Sequence, residues 1–560
     1  MSSVMHSKPS AIRCRDASAL VIAILAFATT AFAQYDPAQV LVETPAVAAR
    51  FPDPDVRYAT PSFAIDRTDF ATHQEIFRFG EVLTNRSRHA QMSIIGRSQQ
   101  GRSIPSIVLA HDGTIDPSLP TVMIIGGQHG NEPAGSEAAL AIADRLATVD
   151  AALLERVNVV VVPRANPDAS QLFRRASANG MDVNRDHLLL HTPEGRALAD
   201  TIVRYRPHVV LDLHEFTVGG RWVEKLGALE RYDALLQAAT VANVDSEIVA
   251  MAQRDYVDAL HRALGDKGFS TFAYHTTSSD PADPVVSMGG VHPDTGRNVN
   301  ALRPAISLLI EVRGAGIGRA HLQRRVHVHT TAALAVVSIA ATQGPKLVAA
   351  VNSAAQRISS AACTGTLGIE ARQPTPSRQR MTFLDAQSGD ERELDVEWRS
   401  STPLDIVRSR PRPCGYLVGE DQAETLDRLR RHGVRVDRIR GSTGPARGAT
   451  TWHVESYAVV TEADRPRQDA RGSIDDAQPS RAPRVETRAA PKVPIDRMVY
   501  VSMEQPMAGL IAAALEPDTP NSYAANRLAD PQRVLRVMKK PSAPMLETQD
   551  GSTKKKPANR

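Results

Sequence analysis

His129 and Glu132 stand three residues apart in the run Thr121 to Gly135, TVMIIGGQHGNEPAG, just past an apolar stretch. Imidazole and carboxylate are both metal-ligating groups, and one tight turn delivers them together. A third candidate, His214, follows the apolar run Val209 to Leu213. Two histidines and one carboxylate make the ligand set of an open catalytic zinc site, with a fourth position left for water or substrate. Glu311 closes another apolar run, SLLIE, and arrives as a carboxylate able to move protons. Each residue also has a plainer reading. Glu132 opens a helix, where a carboxylate meets the dipole favourably without any metal, and Glu311 could serve as partner to Arg313. Chance supplies any one of the four more easily than the set. Asp212 and Glu215 are candidates for orienting the histidines through hydrogen bonds.

The elements that must position these groups read as alternating strands and helices. The segment THQEIFRFGEVLTN after Ala71 has Ile76, Phe79, Val82 and Leu83 at helical spacing. Met92 to Ile95 and Ile104 to Ala110 flank a Gly- and Ser-rich turn, which predicts a hairpin. Thr121 to Ile125 and Val157 to Val162 are apolar without alternation, as in strands covered on both faces. A helix is expected over Glu132 to Thr148, and Thr192 with Pro193 in the first turn starts another. Strands at Val209 to Leu213 and Ile306 to Ile310, then a closing helix within Ala320 to Ala341, complete an α/β layered domain. In such a sheet, functional groups gather in the crevice outside the carboxyl ends of the strands.

The chain's 560 residues exceed one compact core. Hydrophobic residues at 42% and charged ones at 23% place it among globular proteins. A net charge of +4 is too small a bias to call for a nucleic-acid partner. Lys8, Arg13 and Arg15 precede the apolar run Ala19 to Phe27 and the small-residue site Ala31-Phe32-Ala33, the pattern of an export signal cleaved after Ala33, the alternative being a retained anchor. That run falls short of the roughly 20 residues a spanning helix needs, and no later segment reaches that length, so no stable membrane insertion is expected after cleavage. Export places the protein in the periplasm or outside the cell. There Cys363 and Cys414 are free to pair, the alternative being two buried thiols.

The order HGNE, NPD at Asn166 to Asp168, FRRASANGMDVNRD, DLHE and LLIEVRG, with IGRSQQGRSI upstream, resembles the zinc carboxypeptidases of the carboxypeptidase A superfamily over roughly residues 65 to 345. The resemblance implies one zinc per chain on His129, Glu132 and His214, with Glu311 as general base. It also implies Arg174 as the oxyanion donor, with neighbouring Arg175 as the alternative register, and Asn184 and Arg185 as the grip on a substrate's terminal carboxylate. The substrate would be a peptide or small amide with a free carboxylate. The 82 positions from Glu132 to His214, 214 − 132, are compact, which keeps a cell-wall peptide amidase or an acyl-amino-acid deacylase in view. The family's substrate-facing tyrosine has no clear counterpart, since Tyr274 lies far upstream of Glu311; Arg297 and Asn298 are the candidates for that face. His187, His208, His292, His327 and His329 lack partners at ligand spacing and are expected to be structural or supporting.

The organisation that follows is an export signal over residues 1–33 and a catalytic three-layer α/β/α sandwich with a mixed sheet over 34–345. A β-rich accessory region over 346–540 carries a disordered insertion near 461–494, and a charged tail fills 541–560.

Overall fold

The computed structural model describes residues 35–278, 280–439, 452–461, 483–490 and 497–541, with short strand pieces at 464–465, 468–469, 472–473, 480–481 and 546–548. The export segment and nearly all of the charged tail lie outside the described residues. Among the described residues, no single helix is long and apolar enough to cross a membrane.

Eight strands form the central sheet: β1 (Ala90–Arg97), β2 (Ser103–Leu109), β3 (Thr121–Ile125), β4 (Asn158–Val162), β5 (Val209–Thr217), β6 (Ala234–Ala238), β7 (Thr271–Ala273) and β8 (Ile306–Ala315). Their spatial order is β1-β2-β4-β3-β5-β8-β6-β7. The inner strands β4, β3, β5 and β8 run parallel, while β2 against β4 and β6 against β8 are antiparallel, so the sheet is mixed. Val122, Ile124, Val159, Val161 and Leu211 face one core, shared with helices α1 (Pro133–Ala147) and α3 (Leu322–Thr342). Met123, Ile125, Val160, Val162 and Val210 face the other, filled by Leu198 and Ile202 of α2 (Pro193–Tyr205). Helices on both faces make the three layers. Two-sided burial explains why these strands read as unbroken apolar runs. A fully buried Val, Leu or Ile contributes about 1.5–3 kcal/mol, on either face alike. The polar residues are therefore what make register matter: a one-residue slip of β5 would turn Asp212 and His214 into the apolar core beneath α1 and α3.

The sequence predicts strands that stop at Leu213 and Ile310, but both run on, through His214 to Thr217 and through Glu311 to Ala315. They continue because β5 and β8 go on pairing with each other after β3 has ended. The last rung of β3 is Ile125 opposite Asp212. The expected crevice is thus real, but its residues sit on strand extensions rather than past strand ends.

A second, five-stranded sheet joins His275–Thr277 and Val285–Met288 of the catalytic part to Ser377–Asp385 and Glu391–Arg399, with Ala228–Leu229 at the edge. A seven-stranded sheet is built around Gly415–Gly419, Met498–Ser502 and Val534–Val537. Its apolar core includes Leu426 and Leu429 from the helix Ala423–Arg431 and takes in Leu188, Leu189, Val299 and Leu302 from the catalytic part. Helices therefore accompany the strands of the β-rich region. Cys363 and Cys414 form a disulfide. The stretch expected as a disordered insertion lies largely outside the described residues, but Arg484–Ala489 within it is an ordered strand paired with Val454–Thr461.

Candidate active site

The turn after β3 is shaped by glycine. Gly127 has φ of +63°, and a Cβ on Gly130 would run into the Ala169 backbone, so the loop packs flat against the next segment and turns His129 inward. Glu132 takes the N-cap position of α1 with Pro133 following. His214 arrives from β5. All three side chains are buried, at 2%, 4% and 1% exposure, and one ligand atom of each lies within 4.8 Å of the other two.

Each imidazole presents Nδ1 to the glutamate. His129 Nδ1 lies 2.8 Å from Glu132 Oε1, and His214 Nδ1 lies 2.9 Å from Glu132 Oε2. The far nitrogens are held by carboxylates: His129 Nε2 by Asp182 Oδ1 at 2.9 Å and His214 Nε2 by Asp212 Oδ1 at 3.0 Å. Carboxylates behind metal-ligating histidines fix tautomer and ring orientation. The donor set, its burial and these braces all fit a zinc ion. The electrostatics agree. Burial alone would raise the Glu132 carboxyl, but His129 and His214 outweigh it and hold Glu132 well below the usual range. Burial would lower His214, yet Asp212 and Glu132 hold it well above. A proton shared within the cluster thus occupies the charge role that a dication would take over.

Glu311 stands opposite His214 in the parallel β5–β8 register. Neighbouring parallel strands lie about 4.8 Å apart, so the rung itself sets the carboxylate beside the ligand cluster. Burial pushes Glu311 up to about 7, and nearby Glu132 adds to this while His214 and Arg175 oppose it. The plainer reading of Glu311 fails, because Arg313 pairs with Glu43 instead. Asn184 and Arg185 are buried and line the same cavity as His129, Glu132 and Glu311. Asn184 Nδ2 lies 3.1 Å from His214 Nε2, and its Oδ1 accepts the Gly296 N–H at 2.7 Å.

Four expectations change. Arg175, not Arg174, reaches the site, with Nη1 3.1 Å from Glu132 Oε1 and Nη2 2.9 Å from Asp182 Oδ2. The Arg174 side chain is exposed, while its backbone carbonyl accepts the Gly130 N–H at 2.8 Å. Adjacent loop residues point to opposite sides, so only one of the pair can enter. Glu215 does not brace a histidine. Its carboxylate engages Arg325 and the Ala134 N–H, leaving that task to Asp212 and to Asp182, which the sequence reading passed over inside MDVNRD. Tyr274, set aside as too distant in sequence, lines the cavity, delivered between β7 and the strand His275–Thr277. Arg297 lines it as well, whereas Asn298 turns to the Gly290 and His292 carbonyls. His187, His208, His292, His327 and His329 stay outside the ligand cluster. His187 bonds Gln128, His208 accepts the Thr121 N–H and His327 meets Tyr58.

An open cluster of two histidines and a glutamate, with a second glutamate opposite His214 on the neighbouring strand of a mixed sheet between helical layers, defines a metal-dependent hydrolase. Residues 79–219 match the family model described as zinc carboxypeptidase, a stretch that holds all three ligands, while Glu311 lies beyond it. Carboxypeptidase 2 of Trichophyton equinum is 28% identical over 447 residues, covering 77% of this chain and 78% of that protein. Carboxypeptidase 2 of Trichophyton rubrum is 26% identical over 438 residues with the same coverage. Among solved structures, a metallo-carboxypeptidase from Burkholderia cenocepacia is 18% identical, covers 48% of this chain and 70% of that chain, and overlays with a TM-score of 0.36. Residues 79–219 thus resemble the zinc carboxypeptidases, the wider chain is similar to carboxypeptidases over most of its length, and together with the His–Glu–His cluster these likenesses indicate a zinc metallopeptidase.

Proposed function

We propose that the protein is an exported metallocarboxypeptidase that binds one zinc per chain and hydrolyses the peptide bond next to a free C-terminal carboxylate. The observation that carries this reading is the single cavity in which the ligand cluster, Glu311, Asn184 and Arg185 all meet. At about 190 Å³ it is smaller than the roughly 300–1,000 Å³ of sites for drug-sized ligands, which suits one terminal residue.

Zinc on His129, Glu132 and His214 would supply Lewis acidity, making water acidic enough to attack near pH 7 and polarising the scissile carbonyl. Glu311 takes the proton of the attacking water and returns it to the leaving amine nitrogen. A carboxyl pushed up to about 7 both accepts and releases a proton readily near neutral pH. Arg175 offers a cationic donor to the oxyanion that develops in the transition state. Arg185 presents a planar fork to the terminal carboxylate, and Asn184 adds a neutral donor beside it. The Cys363–Cys414 disulfide supports an oxidising compartment, periplasmic or extracellular.

The test compares peptides that differ only in a free or amidated C-terminus, read by mass spectrometry, with zinc content determined on the same protein. Amidation should lower kcat/KM by about 10–100-fold, the worth of a charge-assisted hydrogen bond of roughly 1.5–3 kcal/mol. Equal cleavage would instead indicate an amidase or endopeptidase, and release confined to N-acylated amino acids would indicate the deacylase.

A further inference from the structure

Burying a cation is costly unless it is paired, and most deeply buried arginines here obey that rule: Arg313 pairs with Glu43, Arg325 with Glu215 and Arg536 with Glu516. Arg297 does not. It is 2% exposed and lines the catalytic cavity, yet no carboxylate among the described residues lies within ion-pairing distance of it. Its partners are neutral: Nε donates to Asn298 Oδ1 at 3.3 Å, Nη1 to Gln237 Oε1 at 3.2 Å and Nη2 to the Gly290 carbonyl at 3.0 Å. A guanidinium carries five N–H donors, so one on each Nη remains beyond these three bonds. Arg164 and Arg303 also lack carboxylates, but neither lines this cavity.

The backbone is arranged around this side chain. A Cβ on Gly289 would stand 2.6 Å from Arg297 Nη1 and 2.7 Å from Gln237 Oε1, so glycine at 289 is what lets the guanidinium lie against the cavity wall. Burial pulls Arg297 down to about 10, which still leaves it charged at neutral pH. Arg175, Arg185, Arg221 and Arg297 line the cavity with Glu132, Glu215, Asp294 and Glu311; Arg175 is paired with Glu132, whereas Arg297 meets only neutral partners. A substrate carboxylate is what the Arg297 guanidinium, buried among neutral partners, calls for.

We infer that Arg297 is the specificity-determining residue of this site and that the enzyme prefers peptides ending in glutamate or aspartate, whose side-chain carboxylate pairs with its guanidinium. This rests on the carboxypeptidase reading above. The planar fork receives the side-chain carboxylate through the N–H left on each Nη, while the α-carboxylate goes to Arg185. A site built for a charge-assisted pair also rejects the neutral isostere, because the buried cation is then left unpaired.

The experiment uses the full zinc-loaded protein and peptides identical except for a last residue of Glu, Asp, Gln, Leu or Lys, and also measures calorimetric binding of glutarate and butyrate. Glu-ended peptides should exceed Gln-ended ones by at least 10-fold in kcat/KM, and glutarate should bind at least 10-fold tighter than butyrate. Arg297→Gln, with zinc content and Tm checked, should bring both ratios towards one; the wild-type ratios decide if that variant does not fold. Cleavage with no acidic preference, or with Leu or Lys preferred, overturns the inference and leaves the carboxypeptidase reading intact. Selective glutarate binding without cleavage of any peptide supports the dicarboxylate site and overturns the reaction.

Discussion

Glu311 shows how one carboxyl group is tuned by opposing neighbours. Burial favours its neutral form and Arg175 the ionised one, with the balance at about 7; a dication on the adjacent ligands adds to the second side. In the proposed role of base Glu311 must be ionised to act, so kcat/KM should rise with pH through this group's pKa, at or below about 7, and the limb should vanish in Glu311→Gln. That variant should keep its zinc and lose about 10²–10⁴ in kcat, as checked by elemental analysis and a pH–rate profile. Arg175→Ala should cost about 10²–10³ in kcat, as loss of an oxyanion donor does, whereas Arg174→Ala should change it by less than about 3-fold, since the Arg174 side chain points to solvent. The candidate ligands and Glu311 were legible because each sits beside an apolar run whose end marks the crevice. The choice between the two arginines was not, because a loop has no period from which to read which side chain points inward. Asp182 and Tyr274 were hidden for the same reason.

Strands and helices of the catalytic part follow their apolar runs closely, and Thr121–Ile125 matches without change. Cross-sheet pairing was less visible: Val285 meets Glu397 across more than a hundred residues, and short strands with no matching motif carry nothing that names their partner. The disulfide belongs to this scale. It joins the turn after the helix Gly344–Ser360 to the start of the strand Gly415–Gly419, closing a sequence separation of 51. Loops of this size are constrained in the unfolded chain by up to about 4 kcal/mol. Replacing both cysteines by serine should therefore lower stability by about 2–4 kcal/mol in urea unfolding, with zinc content unchanged. Equal stability in both proteins would mean that the bridge restrains little of the unfolded chain.

At the scale of the whole molecule, His432 fastens the C-terminal region to the catalytic part. Its Nε2 meets the Leu188 carbonyl at 3.0 Å, while Arg303 donates to its Nδ1 at 2.9 Å. Burial, then the charge of Arg303, holds this imidazole down to about 3. Unfolded, it would take a proton near 6.5. Between those values the unfolded chain binds a proton that the folded one does not, so stability contributed here falls as pH drops from about 6.5 towards 3. His432→Gln should be less stable at pH 7 yet lose less on going to pH 5, measured by urea unfolding at both. The five-stranded sheet carries the joining of the two parts further. A protein cut after α3 would retain His129, Glu132, His214 and Glu311, and by motif alone it would pass for a finished enzyme. It would also leave one side of Val285–Met288 without hydrogen-bond partners, a bare strand edge that recruits other chains. The C-terminal half is thus what keeps the rim of the reaction cavity from becoming a surface for aggregation.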